Sequence, residues 1–367
     1  MKFTCTQENL AHGLAAVSRV ASKSAVLAIL NNVLLIAEDG RVQLQTTNLE
    51  LAISVTIRAK VETPGRYTVP SRLLTEFISL LGNERVTLET VEGGLRVVSG
   101  HTQTTIKGAP AEDFPVLPTH DTSTETTIPA TTFRAALEGT VFAAANDESR
   151  PEISGTLLSV QGTAGTVVAT DSYRLAERHV KALTAATADR KVILPSRTAQ
   201  ELLRLTPDDD TVVTIYLGDD QARFLLPDTE IVSRVIEGQY PDYQQIIPTA
   251  WTTRVVCDHD DLLANVRATS LFCKAGINDI TLTIDPTEKR IHLTAANAQL
   301  GEHAASVEAE IEGAATSSIF NFRYLLDGIQ SLGGSRTVVE LQDQNAPAVL
   351  RNPDHQDALY LLMPIRQ

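Results

Sequence analysis

At 367 residues the chain is too long for one hydrophobic core and suits about three domains of ordinary size. Hydrophobic residues make up 43% of it, enough for such cores, yet no apolar run approaches the ~20 residues of a membrane span and the opening MKFTCTQENL lacks a signal peptide's apolar segment, so a cytoplasmic protein with no membrane partner is expected. A net charge of −14 argues against a chain that holds nucleic acid by bulk attraction.

Residues 2–6 read as a strand that leads into a helix over 7–21, striped by Leu10, Leu14 and Val17. The alternating run RVQLQTTNLELAISV (41–55) follows, with Asn at its turn. From Val69, VPSRLLTEFISLLGNERVTLE is an amphipathic helix entered from a strand, its stripe being Leu74, Phe77, Ile78 and Leu81 and its Pro near the first turn. DFPVLP ends at Pro118, and the Thr/Ser-rich stretch 119–127 reads as a linker.

The same sequence of elements then returns. Phe133, Leu137 and Thr140 repeat the early helix, GTVVATDSYRLAERHV (165–180) the alternating run, and LPSRTAQELLRLTPDDDTVVTIYL from Leu194 the late helix. YPDYQQIIP closes at Pro248, with a second linker at 249–253. Leu262, Val266 and Thr269 open a third pass, which continues through RIHLTAANAQLGEHAASV (290–307) to FNFRYLLDGIQSLGGSRTVVELQ from Phe320. In its stripe of Leu325, Gly328, Ile329 and Leu332, Gly328 is a lapse. The late-helix segments begin 125 and 126 residues apart, the mark of one unit used three times. The boundaries fall at 1–121, 122–251 and 252–367, and each domain is predicted to be α+β, with about eight strands in antiparallel sheets and two helices.

Motifs for chemistry are missing. The sequence has no G-x-x-x-x-G-K-[ST], no G-x-G-x-x-G after a strand, no G-x-S-x-G and no H-E-x-x-H, and its eight histidines are scattered without metal-ligand spacing, so neither a metal nor a cofactor is expected. Asp208, Asp209 and Asp210 fall where the late helix turns into a strand and read as a solvated turn. Asp171 beside Arg174 is joined by no second carboxylate or nucleophile, which leaves an enzyme reading poorly supported. Three cysteines without C-x-x-C fit a reducing compartment. Cys5 and Cys257, each five residues before a matched Leu, are expected to be buried in strands.

Arg72, Arg197 and Arg323 share one column of the repeat, with Glu76, Glu201 and Asp327 four residues on, the spacing of solvated ion pairs on a helix face. The six helical windows carry nine Lys/Arg against seven Asp/Glu, leaving 22 of the 31 bases and 38 of the 45 acids to the remainder. An acidic exterior repels nucleic acid while helix-borne arginine attracts phosphate, so free DNA should bind weakly and any work on DNA must rely on geometry.

The triplicated unit, ATDSYRLA (169–176), GQYPDYQQIIP (238–248), FNFRYLLD (320–327) and the ending YLLMPIR (360–366) resemble the bacterial sliding clamps, the beta subunits of DNA polymerase III, over the whole chain. That resemblance implies a DNA-clamp fold of three similar domains and a homodimer closed head to tail into a ring around duplex DNA. It implies a processivity factor without catalysis that tethers the replicative polymerase. It also implies a dimer contact at Thr104 and Ile106 in the first domain and at Leu271 and Phe272 in the third. A single acid, Glu302, stands on the third-domain edge around 298–303, where relatives cluster glutamates.

Carried over residue by residue, the basic contacts to DNA are Lys23, Arg72, Arg197 and Arg204, with Arg150 beside them; Arg150-Pro151 stands where some relatives have paired tyrosines. A peptide groove between the second and third domains maps onto Ile153, Thr170, Ser172, Tyr173, Arg174, Leu175, Pro241, Ile246, Ile277, Asn321, Tyr324, Leu361, Leu362, Met363, Pro364, Ile365 and Arg366. Its implied ligands are glutamine- and leucine-containing motifs of the replicative polymerase's alpha-type subunit, of other polymerases, the clamp loader, and mismatch-repair and replication-control proteins. The alternative is a clamp paralogue specialised for repair or drug tolerance.

Overall fold

The computed structural model describes residues 1–21, 27–116, 124–145, 147, 149–180 and 184–366. Among them lie six α-helices, α1 (Gln7–Val17), α2 (Ser71–Ser79), α3 (Ala130–Glu138), α4 (Ser196–Leu205), α5 (His259–Ser270) and α6 (Phe322–Leu332). Each repeat supplies an early and a late one. Three of them are capped at their starts by side chains: at α1 Thr6 Oγ1 accepts from the Asn9 N–H, at α5 Asp258 from Asp261, and at α6 Asn321 from Arg323. The early helices are shorter than their apolar stripes suggested. α1 stops at Val17 rather than 21, and α3 stops at Glu138 before a separate 3-10 turn, Val141–Ala143.

The residues pack as two compact units. The first holds Met1–Thr131, Ala186–Ala188 and Arg204–Val235, the second Thr132–Ala185, Asp189–Leu203 and Ile236–Gln367. The middle repeat is shared between them because its strands pair with strands of both neighbours. In the first unit Thr229–Arg234 runs antiparallel to Leu51–Arg58, with Ile231 opposite Ile53, which joins strands of the first and second repeats into one eight-stranded sheet. In the second unit Arg174–Val180 pairs with His355–Leu362, Leu175 opposite Leu361, and builds a twelve-stranded sheet. Each alternating run seen in the sequence is a hairpin, for example Arg41–Thr47 with Leu51–Arg58.

Residues 119–123 of the first predicted linker, and the boundary at 121/122, lie outside the described residues. The rest of that linker is a strand: Thr124–Pro129 pairs with Val212–Leu217 and buries Thr124, Thr126 and Ile128 on one face. Its Thr-rich composition hid a period-two pattern of β-branched residues, which fits a half-buried strand. Cys5 and Cys257 are buried as expected, and burial pushes both thiols up to about 12.

The lapse at Gly328 has a steric cause. A Cβ there would lie 2.3 Å from the ring of Tyr360, which is fully buried and donates its hydroxyl proton to the Tyr324 carbonyl at 2.8 Å. The ring occupies the space a side chain on α6 would need, so the glycine belongs to the core despite its low helix propensity. Gly328→Ala should therefore lower stability by about 1–3 kcal/mol in urea unfolding, although an open helix site would gain about 1 kcal/mol from the same change. A neutral or stabilising result would refute this account of the packing.

Candidate functional site

In the second unit the segment 170–174 is folded by its own polar side chains. Asp171 Oδ1 accepts from the N–H groups of Tyr173 and Arg174 at 2.9 and 3.0 Å, and Thr170 Oγ1 accepts from Ser172 while donating to the Arg174 carbonyl. The turn holds Ser172 at φ +77, a left-handed conformation, and leaves Tyr173 63% exposed.

Arg174 then reaches across the repeat boundary. Its Nε lies 3.0 Å from Asp171 Oδ2, one terminal nitrogen is 2.5 Å from Asp327 Oδ2 on α6, and the other donates to the Phe142 carbonyl at 2.8 Å. The guanidinium stacks over the Tyr324 ring at 4.4 Å and the Phe142 ring at 5.4 Å. With 11% of its side chain exposed, this fork reaches three acceptors at once in a way a lysine could not. Both oxygens of Asp171 serve the turn and the fork. Asp327, expected to pair with Arg323 on the helix surface, is taken by Arg174 instead, and Arg323 packs over Phe322.

The chain end is fixed against the same turn, Met363 N–H donating to the Tyr173 carbonyl and Ile365 N–H to the Ile319 carbonyl. Around it the expected groove residues divide by exposure. Tyr173, Pro241, Ile246, Ile277 and Arg366 are open to solvent, and Asn321, Tyr324, Met363 and Ile365 are half-buried. Ile153, Thr170, Leu175, Leu361 and Pro364 are buried beneath them. Leu175 and Leu361 belong to an apolar cluster with Leu157, Val168, Ile193, Val349 and Leu359, against which Tyr240, Tyr243, Ile247 and Met363 pack. Leu362 is the exception. Successive strand residues face opposite sides of a sheet, so it joins Tyr360 in the core under α5 and α6 and lines no groove.

The expected DNA contacts also divide. Lys23 lies outside the described residues. Arg72 is exposed and paired with Glu76 at 2.6 Å, a surface pair of small worth that a phosphate can displace. Arg197 is exposed in the first turn of α4, and Glu201, four residues on along the same helix, is buried. Arg150 donates to Ser172 Oγ at 2.9 Å. Arg204 donates to the Ala15 and Ala16 carbonyls at 3.4 and 2.5 Å, which satisfies the last turn of α1 and engages the guanidinium in the fold.

Of the strand edges left without a full partner among the described residues, two lie at the expected dimer contact. Thr102–Ile106 pairs only with Gly94–Ser99, with Thr104 half-buried and Ile106 buried. In the strand Gly301–Gly313, residues 301–308 pair with Arg290–Asn297 on one side, while Thr253–Asp258 takes the other side only from Ala309 onward. The third-domain edge thus begins at Gly301, because residues 298–300 form the hairpin turn, in which Asn297 Oδ1 accepts from Gln299. Beside it Leu271 is 72% exposed and Phe272 stacks on His303 at 5.3 Å. Asp285, Glu288 and His292 offer ligand atoms within 4.8 Å of one another, the described trio that could hold a cation, with Glu288 and His292 already paired at 3.1 Å.

Family descriptions of the DNA polymerase III beta subunit match in three blocks, the N-terminal domain over 1–118, the central domain over 127–242 and the C-terminal domain over 244–366. The beta sliding clamp of Synechococcus elongatus is 32% identical over 372 residues, covering 100% of this chain and 99% of that one. The beta sliding clamp of Pseudomonas aeruginosa is 30% identical over 369 residues, with both chains fully covered. Among solved structures, the DNA polymerase III subunit beta of Pseudomonas aeruginosa superposes with a TM-score of 0.93 at 29% identity over 100% of both chains. The Bacillus subtilis sliding clamp, at 24% identity and a TM-score of 0.94 over 100% of this chain and 99% of that one, speaks for the fold alone.

Sequence reasoning missed Phe142, Tyr360 and the role of Asp327, because their importance rests on contacts across repeats. Arg174→Ala should cost about 2–4 kcal/mol in urea unfolding, somewhat less than breaking a fully buried pair because Asp327 is partly solvated. Arg174→Lys should recover less than half of that loss, and full recovery would show that charge alone suffices.

Proposed function

This chain belongs to the beta sliding clamps, the family of DNA polymerase III beta subunits, and from that membership we propose that two copies close head to tail into a ring that slides on duplex DNA. The open edge Thr102–Ile106 of one copy extends residues 301–308 of the other, with Thr104 and Ile106 meeting Leu271 and Phe272. Pairing two edges removes the unpaired N–H and C=O groups that each exposes, and covering a 72% exposed leucine adds apolar burial. Such a heterologous contact gives a ring because the rotation closes.

The observation that carries this reading is the full-length family match on a chain of net charge −14. A protein so acidic gains its hold by enclosing DNA, while the exposed Arg72, Arg197 and Arg150 make few, exchangeable phosphate contacts that permit sliding. The ring does no chemistry of its own. It tethers the replicative polymerase, and the rim of Tyr173, Pro241, Ile246, Ile277, Tyr324 and Met363 receives short peptide motifs of that polymerase, the clamp loader and repair proteins. Exposed apolar side chains over a buried apolar floor, with Arg174 and Asn321 as polar marks, suit such ligands.

Loaded by its clamp loader onto nicked circular DNA, the protein should co-elute with the circle in gel filtration and be lost once the circle is cut. Equal retention on linear duplex with free ends would overturn sliding. Leu271→Asp should halve the mass measured by light scattering from two chains to one, with the unfolding midpoint of each chain little changed; an unaltered dimer would displace Leu271 from the interface.

A further inference from the structure

The eight histidines have no metal-ligand spacing to one another, but the fold brings two carboxylates against one of them. Asp279–Asp285 and Arg290–Asn297 form an antiparallel hairpin in the third repeat, with Ile284 opposite Ile291 and Thr283 opposite His292. Ile284 and Ile291 belong to the core under α5 and α6. Strand alternation therefore sends Asp285 and His292 to the other face of the hairpin, as diagonal neighbours on its two strands.

The turn that joins the strands supplies the third group. Asp285 Oδ1 accepts from the N–H groups of Thr287 and Glu288 at 2.8 and 3.1 Å, and the Lys289 carbonyl accepts from the Ala309 N–H at 3.0 Å, which ties the turn to the strand Gly301–Gly313. Glu288 comes back over the hairpin, its Oε2 lying 3.1 Å from His292 Nε2. One ligand atom from each of Asp285, Glu288 and His292 lies within 4.8 Å of the other two. The N–H groups of Glu288 and Thr287 also hold the Asp285 carboxyl below the usual carboxylate range, so it is ionised at neutral pH. Arg290, opposite Asp285 in the register, directs its guanidinium to Ser306 Oγ at 2.8 Å and Glu308 Oε1 at 3.0 Å on the next strand.

The donor set selects among ions. Hard cations such as Mg2+ and Ca2+ take oxygen ligands, whereas an imidazole nitrogen beside carboxylate oxygens suits Zn2+ and its neighbours in the first transition row. Two carboxylates and one neutral imidazole also balance a divalent charge. In tetrahedral coordination, ligand atoms about 2.0–2.1 Å from Zn2+ stand roughly 3.3 Å apart. The contact between His292 and Glu288 already has that spacing, and Glu288, exposed in the turn, is free to adjust toward Asp285.

We propose that Asp285, Glu288 and His292 bind one divalent transition-metal ion per chain, Zn2+ being the best match, with water completing its coordination. The imidazole separates this trio from an ordinary group of surface acids, because it adds a nitrogen donor that a proton or a transition metal uses and Mg2+ does not. The ion joins both strands of the hairpin to their turn. It uses none of the residues assigned to the groove, the dimer contact or DNA, so it stands or falls independently of those readings.

The test is isothermal titration calorimetry of the full chain, stripped of metal with a chelator and dialysed, against ZnCl2. One ion per chain should bind with a Kd below about 0.1 mM, and MgCl2 at about 1 mM should not displace it. His292→Ala and Glu288→Gln should each weaken that site at least about tenfold, since even the outer partners of metal ligands cost as much. Asp285→Asn should weaken it too while leaving the urea midpoint of the metal-free chain unchanged, because the amide oxygen still accepts from the turn's N–H groups. That variant separates ligation from the structural role of Asp285. No site tighter than about 0.1 mM, displacement by Mg2+, or Zn2+ affinity unaltered in His292→Ala would each overturn the proposal, the last by placing the ion elsewhere on the chain.

Discussion

Unpaired strand edges are what the three repeats must dispose of, and the rest of the molecule follows from how they do it. A repeat of about eight strands ends in rows of free N–H and C=O groups. Pairing Thr229–Arg234 with Leu51–Arg58, and Arg174–Val180 with His355–Leu362, satisfies those rows inside the chain. The middle repeat is thereby shared between two compact units, so three similar sequences do not become three separate bodies. Among the edges still open, Thr102–Ile106 and the start of Gly301–Gly313 are those on which the proposed dimer rests.

The junction of the second and third repeats shows what that pairing makes possible. Placing Leu175 opposite Leu361 brings the 170–174 turn against the chain end and within reach of α6. Arg174 then joins a turn, a helix and a 3-10 segment through Asp171, Asp327 and the Phe142 carbonyl. The fork has an apolar setting, with Tyr360 buried behind it and Gly328 making room for the ring. One sheet face becomes a core under the helices and the other a floor for the proposed groove, and strand alternation assigns Leu362 to the first and Leu361 to the second.

Charge is distributed with the same economy. Of the arginines that sequence alone would send to DNA, Arg204 closes the carbonyl end of α1, while Arg72 and Arg197 remain exposed on their helices. Asp327 leaves its expected helix-surface pair to neutralise Arg174. With so acidic a chain, a small set of exposed basic groups is consistent with weak, mobile contact rather than tight binding.

From the sequence alone came the threefold repeat, the two helices per repeat and the burial of Cys5 and Cys257. These follow from local periodicity and from self-similarity at 125- and 126-residue steps, which need no knowledge of distant contacts. The family was legible for the same reason, since its phrases are contiguous. Only the tertiary structure decided that 124–127 is strand rather than linker, that Gly328 is a fitted core position, and that Arg204 is a cap and Leu362 a core residue. Each of those outcomes depends on a partner tens to hundreds of residues away. Side-chain identity states what a residue can bond, but pairing register across repeats determines what it meets.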